Sequence, residues 1–499
     1  MSASLVPTRR GPVDLPGPDG DNTIAREPLW HAYGTGVDQP DVPAWMAIEE
    51  LHPDLHVAPP PAVRPDAKRV PPPAGTTALL AGLRYPDGRT PSSTSDSALL
   101  GHALVAAFGV LRHEPANPFN PHRGYASARC LFPVQVAVDD GARWYLLQPQ
   151  RNAMDELPAT TGGGRRVALL GQYSRIPRGY RWFRGSLVNL ELGITLRALC
   201  VALELFGLPG RLVLPGTGSA TLLDTLALGP SAQWSLPLTV ELDGPSVAPA
   251  PVAAARLDLA DDPVLAELVE VNRAQAFAEP PAPLGAAVPD LGSHALSWAD
   301  LLWQRTSGRM PRGLHGMSGR PGPLPESVLA DALAWLAVPP PSRTLAAVAD
   351  AVTVTAAVHT VEAHNPGVYR FEHGALVQRS EDPTVAAQLE RVYGYPQAPD
   401  NGCDVRNAGM IWFLSVRPRE LARLFGPGGW TAAQYVCGWL THALCLAAAA
   451  TGHYARPVRA FTEIPTQRIL GLPPDEMIVL AVVVGTPRPT GGPLLDLRR

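Results

Sequence analysis

Two stretches of this chain repeat one another at a fixed displacement. GITLRALCVALELFG (193–207) and GWLTHALCLAAAATG (438–452) run from glycine to glycine over the same length, and Ala198–Cys200 and Ala443–Cys445 sit at the same offset, 245 residues apart. The segments after each stretch also recur in order: a strand-like run (RLVLP; PVRAFTEI), a short helix ending LALGP or ILGLPP, and a closing β-rich segment (LPLTVELDG; IVLAVVVGTP). Ala/Leu-rich helices resemble one another by chance; four elements in the same order do so far less. Each repeated helix is apolar nearly all round, so it has to be buried on most sides, in a core or a helical interface. Two such copies on one chain point to a pseudo-twofold fusion of an obligate homodimer. The expected fold class is α+β: two tandem domains, each a mixed sheet packed around long buried helices, arranged as a pseudo-twofold dimer.

A length of 499 residues exceeds one hydrophobic core, and two domains of about 180–200 residues each are expected. Fifteen prolines fall in residues 1–73, so 1–74 reads as an extended arm anchored by the aromatics of EPLWHAYGTG and VPAWMAIEELH. A second Pro/Ala-rich stretch interrupts the chain near its middle and carries DDPVLAELVEVNRAQAF, a helix capped by aspartate. The expected boundaries are 75–245 for the first domain, 246–292 for a linker with one helix, 293–488 for the second domain and 489–499 for a C-terminal tail.

A net charge of −4 argues against nucleic acid as a partner and against attraction to anionic membrane. The start lacks an apolar signal region, and no stretch reads as a membrane span of about 20 apolar residues free of charges or breakers. A cytoplasmic protein is expected. Lys68 is the sole lysine, so neither domain has a lysine to act as base or Schiff-base amine. Five scattered cysteines without CxxC or paired histidines read as free thiols, and no metal site is expected.

The chemistry concentrates in WADLLWQRTSGRMPR (298–312), where an amphipathic helix ends in Arg305, Ser307 and Arg309. Two guanidiniums flanking a hydroxyl at alternate positions can converge on one phosphate through charge-assisted hydrogen bonds. Taken alone, the same residues also read as a solvated basic helix end, favoured by the helix dipole.

An apolar helix, Arg-x-Ser-x-Arg, a distal buried Gly-to-Gly helix, an LG turn and a closing strand together resemble the nitroreductase-like flavoprotein family. The resemblance implies that Arg305, Ser307 and Arg309 hold the phosphate of FMN and that ring contacts come from across a dimer interface. GYASARCLFPVQVAV (124–138) resembles the family segment that meets the flavin ring, with Ser127, Leu131, Phe132 and Pro133 on matching positions, Ala128 between them, and Ala126 and Arg129 departing. Where the phosphate motif belongs, the first copy has GLRYPDGRTPSS, keeping only Arg84 and Arg89. Where the ring motif belongs, the second has PPPSRTLAAVADAVTVTAAV. These complementary losses imply one competent FMN site, built from the second copy's phosphate motif and the first copy's ring motif. Arg488, after the closing strand, is a further phosphate candidate.

RGYRWFRGSLVNLELG (178–193) resembles an element of the SagB-type azoline dehydrogenases, which oxidise thiazoline or oxazoline rings to azoles in ribosomally made peptides. The resemblance covers most of residues 75–488. It puts Tyr180 on the tyrosine of a lysine–tyrosine catalytic pair, with Gly179 in place of the lysine; Tyr173 is a second candidate, and Arg181, Arg184 or His442 could supply charge. The implied reaction passes a hydride to flavin N5, with oxygen reoxidising the flavin. The implied partners are a peptide substrate with a leader segment and, in some systems, a cyclodehydratase; the fused pair either dimerises again or does not. Two other readings stand beside this one: an NAD(P)H-dependent nitro- or quinone reductase, and a flavin-free scaffold subunit of a peptide-modifying complex.

Overall fold

The structure, a computed structural model, describes residues 66–498 with breaks at 91–95, 161–163, 181–182, 229–232, 243–261, 270–276, 309–318, 394–404, 488–492 and isolated positions. The first half contains β1 (Arg69–Val70), α1 (Thr76–Gly82), α2 (Asp96–Phe108), β2 (Val110–His113), β3 (His122–Arg123), β4 (Val134–Asp140), β5 (Arg143–Gln148), β6 (Ala153–Thr160), β7 (Arg165–Gly171), α3 (Phe183–Leu205), β8 (Arg211–Val213), α4 (Ser219–Leu226) and β9 (Leu238–Glu241). After β10 (Ala282–Pro283), the second half contains α5 (Trp298–Gln304), β11 (Gly319–Arg320), α6 (Glu326–Ala337), α7 (Arg343–Asp350), β12 (Thr353–Val358), β13 (Gly367–Glu372), β14 (Ala375–Glu381), α8 (Val385–Val392), β15 (Met410–Val416), α9 (Pro418–Phe425), α10 (Gly429–Ala450), β16 (Tyr454–Val458), α11 (Glu463–Leu470), β17 (Met477–Pro487) and β18 (Leu495–Asp496).

The repeat is written in the sheets. One sheet has the order β1-β6-β5-β4-β7-β9-β8-β10, the other β11-β17-β15-β12-β13-β14 with β16 also on β17. Matching β4 through β9 to β12 through β17, taken in chain order, makes the two orders coincide, and β7 and β15 begin 245 residues apart, at Arg165 and Met410. The ladders between described strands are antiparallel; the mixing expected from the sequence is confined to one isolated parallel bridge, Leu324 to Val361.

Alternation along the central strands explains how each sheet is covered on both faces. Val167 and Leu169 of β7 face the main core, whereas Ala168 and Leu170 pack with Leu222, Leu223 and Leu226 of α4. In the second half Met410, Trp412 and Leu414 of β15 face the main core, while Ile411 and Phe413 pack with Leu389 of α8 and Leu470 of α11. That main core is continuous across both halves, a correction to the expectation of two cores. It is continuous because α3 and α10, the two Gly-to-Gly helices, pack directly on one another.

Their crossing requires glycine. A Cβ on Gly193 would lie 2.0 Å from the Tyr435 carbonyl oxygen, and one on Gly438 2.0 Å from that of Leu190. The two contacts are reciprocal: 193 and 438, like 190 and 435, differ by the repeat shift of 245. Each helix therefore presents the same patch to the other, as subunits do across a twofold axis.

Three segments outside the expected domains join the sheets. The last residues of the arm form β1 on β6, the linker supplies β10 to β8, and the C-terminal tail supplies β18 to β2 of the first half. Of the linker helix, Leu265, Ala266, Leu268 and Val269 are helical, and Asp262 accepts from the Leu265 amide at 3.1 Å, the expected aspartate cap. By length and composition α3 is apolar enough to cross a membrane, contrary to the sequence reading, but 94% of that stretch is buried inside the protein.

Candidate functional site

Helix α5 starts in a capping box, with Ser297 and Asp300 satisfying each other's backbone amides. It ends after two turns, and Arg305 follows. The turn Arg305–Gly308 is shaped by glycine: Gly308 has a φ of +59°, and a Cβ there would sit 2.5 Å from the Tyr454 ring. The Ala455 amide donates to the Thr306 carbonyl at 3.1 Å, tying the turn to β16.

Arg305 is buried, and its Nη1 donates to Ser307 Oγ at 3.3 Å, so guanidinium and hydroxyl face one point. Its Nη2 donates to the carbonyl oxygen of Arg123 in the first half at 3.2 Å. Arg123, buried too, donates to the Tyr125 hydroxyl at 2.9 Å and lies over the Phe132 ring, 3.9 Å from its centre. The phosphate motif of one copy and the ring-contact segment of the other are thereby brought together.

The electrostatics of this cluster are unusual. Among the described residues no carboxylate lies within ion-pair distance of Arg123 or Arg305, although Glu191 is close enough to Arg123, and Glu114 to Arg305, to feel its charge. The Nε of each guanidinium is buried without an acceptor. Burial, followed by repulsion from Arg112, pulls the Arg305 guanidinium below its ordinary value. Arg112 donates to the Trp303 carbonyl at 2.6 Å and to Glu114 at 2.8 Å, so its own charge is met. Burial would raise the Glu114 carboxyl, but hydrogen bonds from His122, Arg112 and Asn117 hold it far below the usual range. Burial also lowers His122, against the upward pull of Glu114, 3.4 Å away. Two buried cations with uncommitted N–H groups are costly unless an anion completes them. A phosphate ester beside Ser307 fits that donor set.

The remaining candidates fall differently. Ser127, Ala128 and Leu131 lie on one loop against the cluster, but the Ser127 hydroxyl turns inward, donating to Glu191 at 2.6 Å and accepting from the Phe132 amide at 2.9 Å. Arg175 holds the Leu131 carbonyl through Nε at 3.1 Å and Nη2 at 2.7 Å. Tyr173 is fully buried with an unpartnered hydroxyl, and burial pushes it well above its ordinary value, which leaves it no ready proton acceptor. Tyr180 is half-buried with its ring 6.4 Å from that of Phe183. Arg184 is committed to Asp262 by two bonds of 2.8 Å. His442 is buried and brought down to about 3 by burial and by Arg197 and Arg305, so it carries no charge at neutral pH. Arg181, Arg309 and Arg488 lie outside the described residues. Sequence reasoning missed Arg112, Arg123, Arg175 and Glu191; Arg123, directly before GYASARC, was the one with a local signal.

The matching place in the other half is filled. The turn after α1, the counterpart of Arg305–Ser307, reads Leu83-Arg84-Tyr85. Tyr85 there accepts from Trp335 Nε1 at 2.8 Å, Arg84 donates to the His294 carbonyl at 2.9 Å, and Arg89 pairs with Glu204. Arg197, at the position equivalent to His442, lies between the rings of Trp335 and Trp439, at 4.9 and 4.6 Å. A cavity of about 730 Å³ opens beside this filled place, between segments 282–290 and 337–343, rather than at Arg305.

Among solved structures, the chain is similar over 89% of its length, and over 96% of the other chain, to a protein of Anabaena variabilis described as a nitroreductase, with a TM-score of 0.60 at 14% identity. The chain has the nitroreductase-like fold. Two other similarities are partial: the McbBCD microcin synthetase complex of E. coli with truncated pro-MccB17 bound (15% identity, 37% of this chain and 71% of that one, TM-score 0.30), and a protein of Ralstonia eutropha described as a nitroreductase (17%, 41% and 90%, TM-score 0.29). No family model matches the sequence, and no curated protein does. The nitroreductase-like fold accounts for the two sheets and the paired central helices, and leaves the chemistry to the residues.

Proposed function

We propose that this protein is an FMN-dependent oxidoreductase with one flavin site, formed where the turn after α5 meets the 122–133 segment of the first half. The observation that carries the reading is the bond from Arg305 to the Arg123 carbonyl, which gathers two buried guanidiniums, neither in an ion pair, beside Ser307. Arg305, Arg123 and Ser307 would hold the phosphate, with Arg309 and Arg488 as further candidates; Phe132 and Leu131 would border the ring. When bound, the flavin supplies two-electron oxidation, and the protein contributes orientation and charge. The filled counterpart around Tyr85, Trp335 and Arg197 supports a single site per chain.

For the substrate we propose an azoline ring in a ribosomally made peptide, oxidised to an azole, with a cyclodehydratase as the enzyme that supplies the ring. The support is the likeness of residues 178–193 to azoline dehydrogenases. Tyr180, half-buried at the end of a short turn, is the better placed of the two tyrosines to meet a substrate, because Tyr173 is enclosed.

The test is the visible spectrum and flavin content of the purified full-length chain, wild type against an Arg305→Ala, Arg309→Ala double variant. About one FMN per chain in the wild type, lost in the variant, is expected. Two FMN per chain would overturn the single site. No flavin after reconstitution would favour a flavin-free subunit, and NAD(P)H consumption on adding a quinone would favour a reductase.

A further inference from the structure

Glu191 lies on α3 beneath the 127–132 loop and has no role in the proposed flavin site. It is buried, and its two carboxyl oxygens are unequal. Oε2 accepts from the Ser127 hydroxyl at 2.6 Å, and that hydroxyl in turn accepts from the Phe132 amide at 2.9 Å. Oε1 is buried without a hydrogen-bond partner. The loop it anchors is strained: Arg129, Cys130 and Phe132 have φ of 52°, 55° and 49°. Non-glycine residues adopt that region only at a cost that surrounding contacts must offset.

The groups facing Glu191 come from every segment packed over it. They are Ser127 from the loop, Arg123 and Tyr125 from β3 and the residues after it, Val134 from the start of β4, and Arg175 from the turn after β7. Burial raises its carboxyl to about 7, against the pull of the Ser127 hydroxyl, the Arg123 charge, the Val134 amide and the Arg175 charge. His442 and Cys445 of α10 are coupled instead to Arg305.

We propose that Glu191 is the positioning residue of the 127–132 loop and that it takes up a proton when an anion is bound by the Arg123–Arg305 cluster. Arg123 is the link. With the cluster empty it is one of the carboxylate's counter-charges; a bound anion competes for that charge and repels the carboxylate, favouring the protonated form. The proton enters at Oε1, so Oε2 goes on accepting from Ser127 and the loop keeps its shape in both charge states. Binding and protonation are reciprocal, so anion affinity falls as pH rises above about 7. The phosphate chemistry of the cluster is taken from the proposed flavin site, on which this inference rests.

The experiment measures FMN and inorganic phosphate binding to the full chain from pH 6 to 9, wild type against Glu191→Gln. Proton uptake is read by calorimetry in two buffers of different ionisation enthalpy. A wild-type affinity that drops about 10-fold across the range, with proton uptake near pH 7.5, is expected, each tenfold corresponding to one pKa unit. Glu191→Gln keeps an acceptor for Ser127 and should lack both signals, apart from titration of the ligand phosphate, which is common to the two proteins. The same profile and uptake in the variant would overturn the coupling and leave the flavin site standing. Binding of phosphate without FMN would overturn the flavin reading while the coupling is still read with phosphate; binding of neither would overturn both. A second measurement is the urea midpoint without ligand. Because the folded pKa is raised, the Glu191 contribution is fully present below about pH 4.5 and lost as pH rises through about 7, a slope that Glu191→Gln should remove.

Discussion

Asn189 and Gln434 meet side chain to side chain, Nδ2 to Oε1 at 2.7 Å, and they are the same position of the repeat, 245 residues apart. Gln434 also donates to Ser186 Oγ at 2.7 Å. The contact is buried between α3 and α10, on the axis that relates the two halves. Gln434→Ala leaves the Asn189 amide with no acceptor and is expected to cost about 1–3 kcal/mol, read as a lower urea midpoint. Replacing both residues with leucine should cost less than the sum of the single changes, since no orphaned amide remains.

The glycines beside this pair set how closely the helices approach. Gly193→Ala or Gly438→Ala drives a methyl into backbone of the opposite helix, where nothing can rotate away. Each is expected to lower stability by about 3 kcal/mol, at the upper end for overpacking. In the double variant the helices need separate only once, so the loss should fall short of additive in equilibrium unfolding.

Arginines of the two pseudo-equivalent places should separate cleanly. Arg123→Ala is expected to weaken FMN binding by about 10- to 100-fold, the loss of one charge-assisted contact to phosphate. Arg89→Ala, which breaks the pair with Glu204 and two hydrogen bonds to the Pro86 and Gly88 carbonyls, should leave flavin stoichiometry unchanged and cost about 1–2 kcal/mol of stability. Equal loss of flavin in both would sink the assignment of the site to one side of the axis.

His442 makes the fold acid-sensitive. Its folded pKa lies at about 3, below the ordinary value near 6.5, because of burial and the Arg197 and Arg305 charges. The unfolded chain therefore binds the proton more readily, so stability is fully present above pH 6.5 and falls as pH drops toward 3. Between pH 8 and 5 this one residue should account for about 2 kcal/mol. His442→Leu should shrink the pH difference in urea midpoint by that amount; an unchanged difference would place the acid sensitivity elsewhere.

Much of the fold was legible in the sequence, because the constraint it expresses is local. A helix apolar on every side cannot face water, and its recurrence with the same strands and turns required two copies of one unit. The Arg305 and Ser307 spacing was legible for the same reason: alternate positions on one turn put guanidinium and hydroxyl on one side. Arg309, Arg181 and Arg488 stay with the proposal, outside the described residues.

The state of each charge was decided only by the tertiary structure. Arg184 looked available until Asp262, 78 residues away, took both of its arms. Arg305 reaches Arg123 across 182 residues, and Glu191 takes its proton donor from Ser127, 64 residues before it. Burial works the same way: Tyr173 and Tyr180 look alike as letters, and only packing encloses one and leaves the other half open. The amino-acid order by itself determined the repeated unit and its apolar helices, since these follow from which side chains water rejects. The pairing of the two copies decided which cations are spent and which are free to meet an anion, since electrostatics in a buried site depends on neighbours that folding brings from distant parts of the chain.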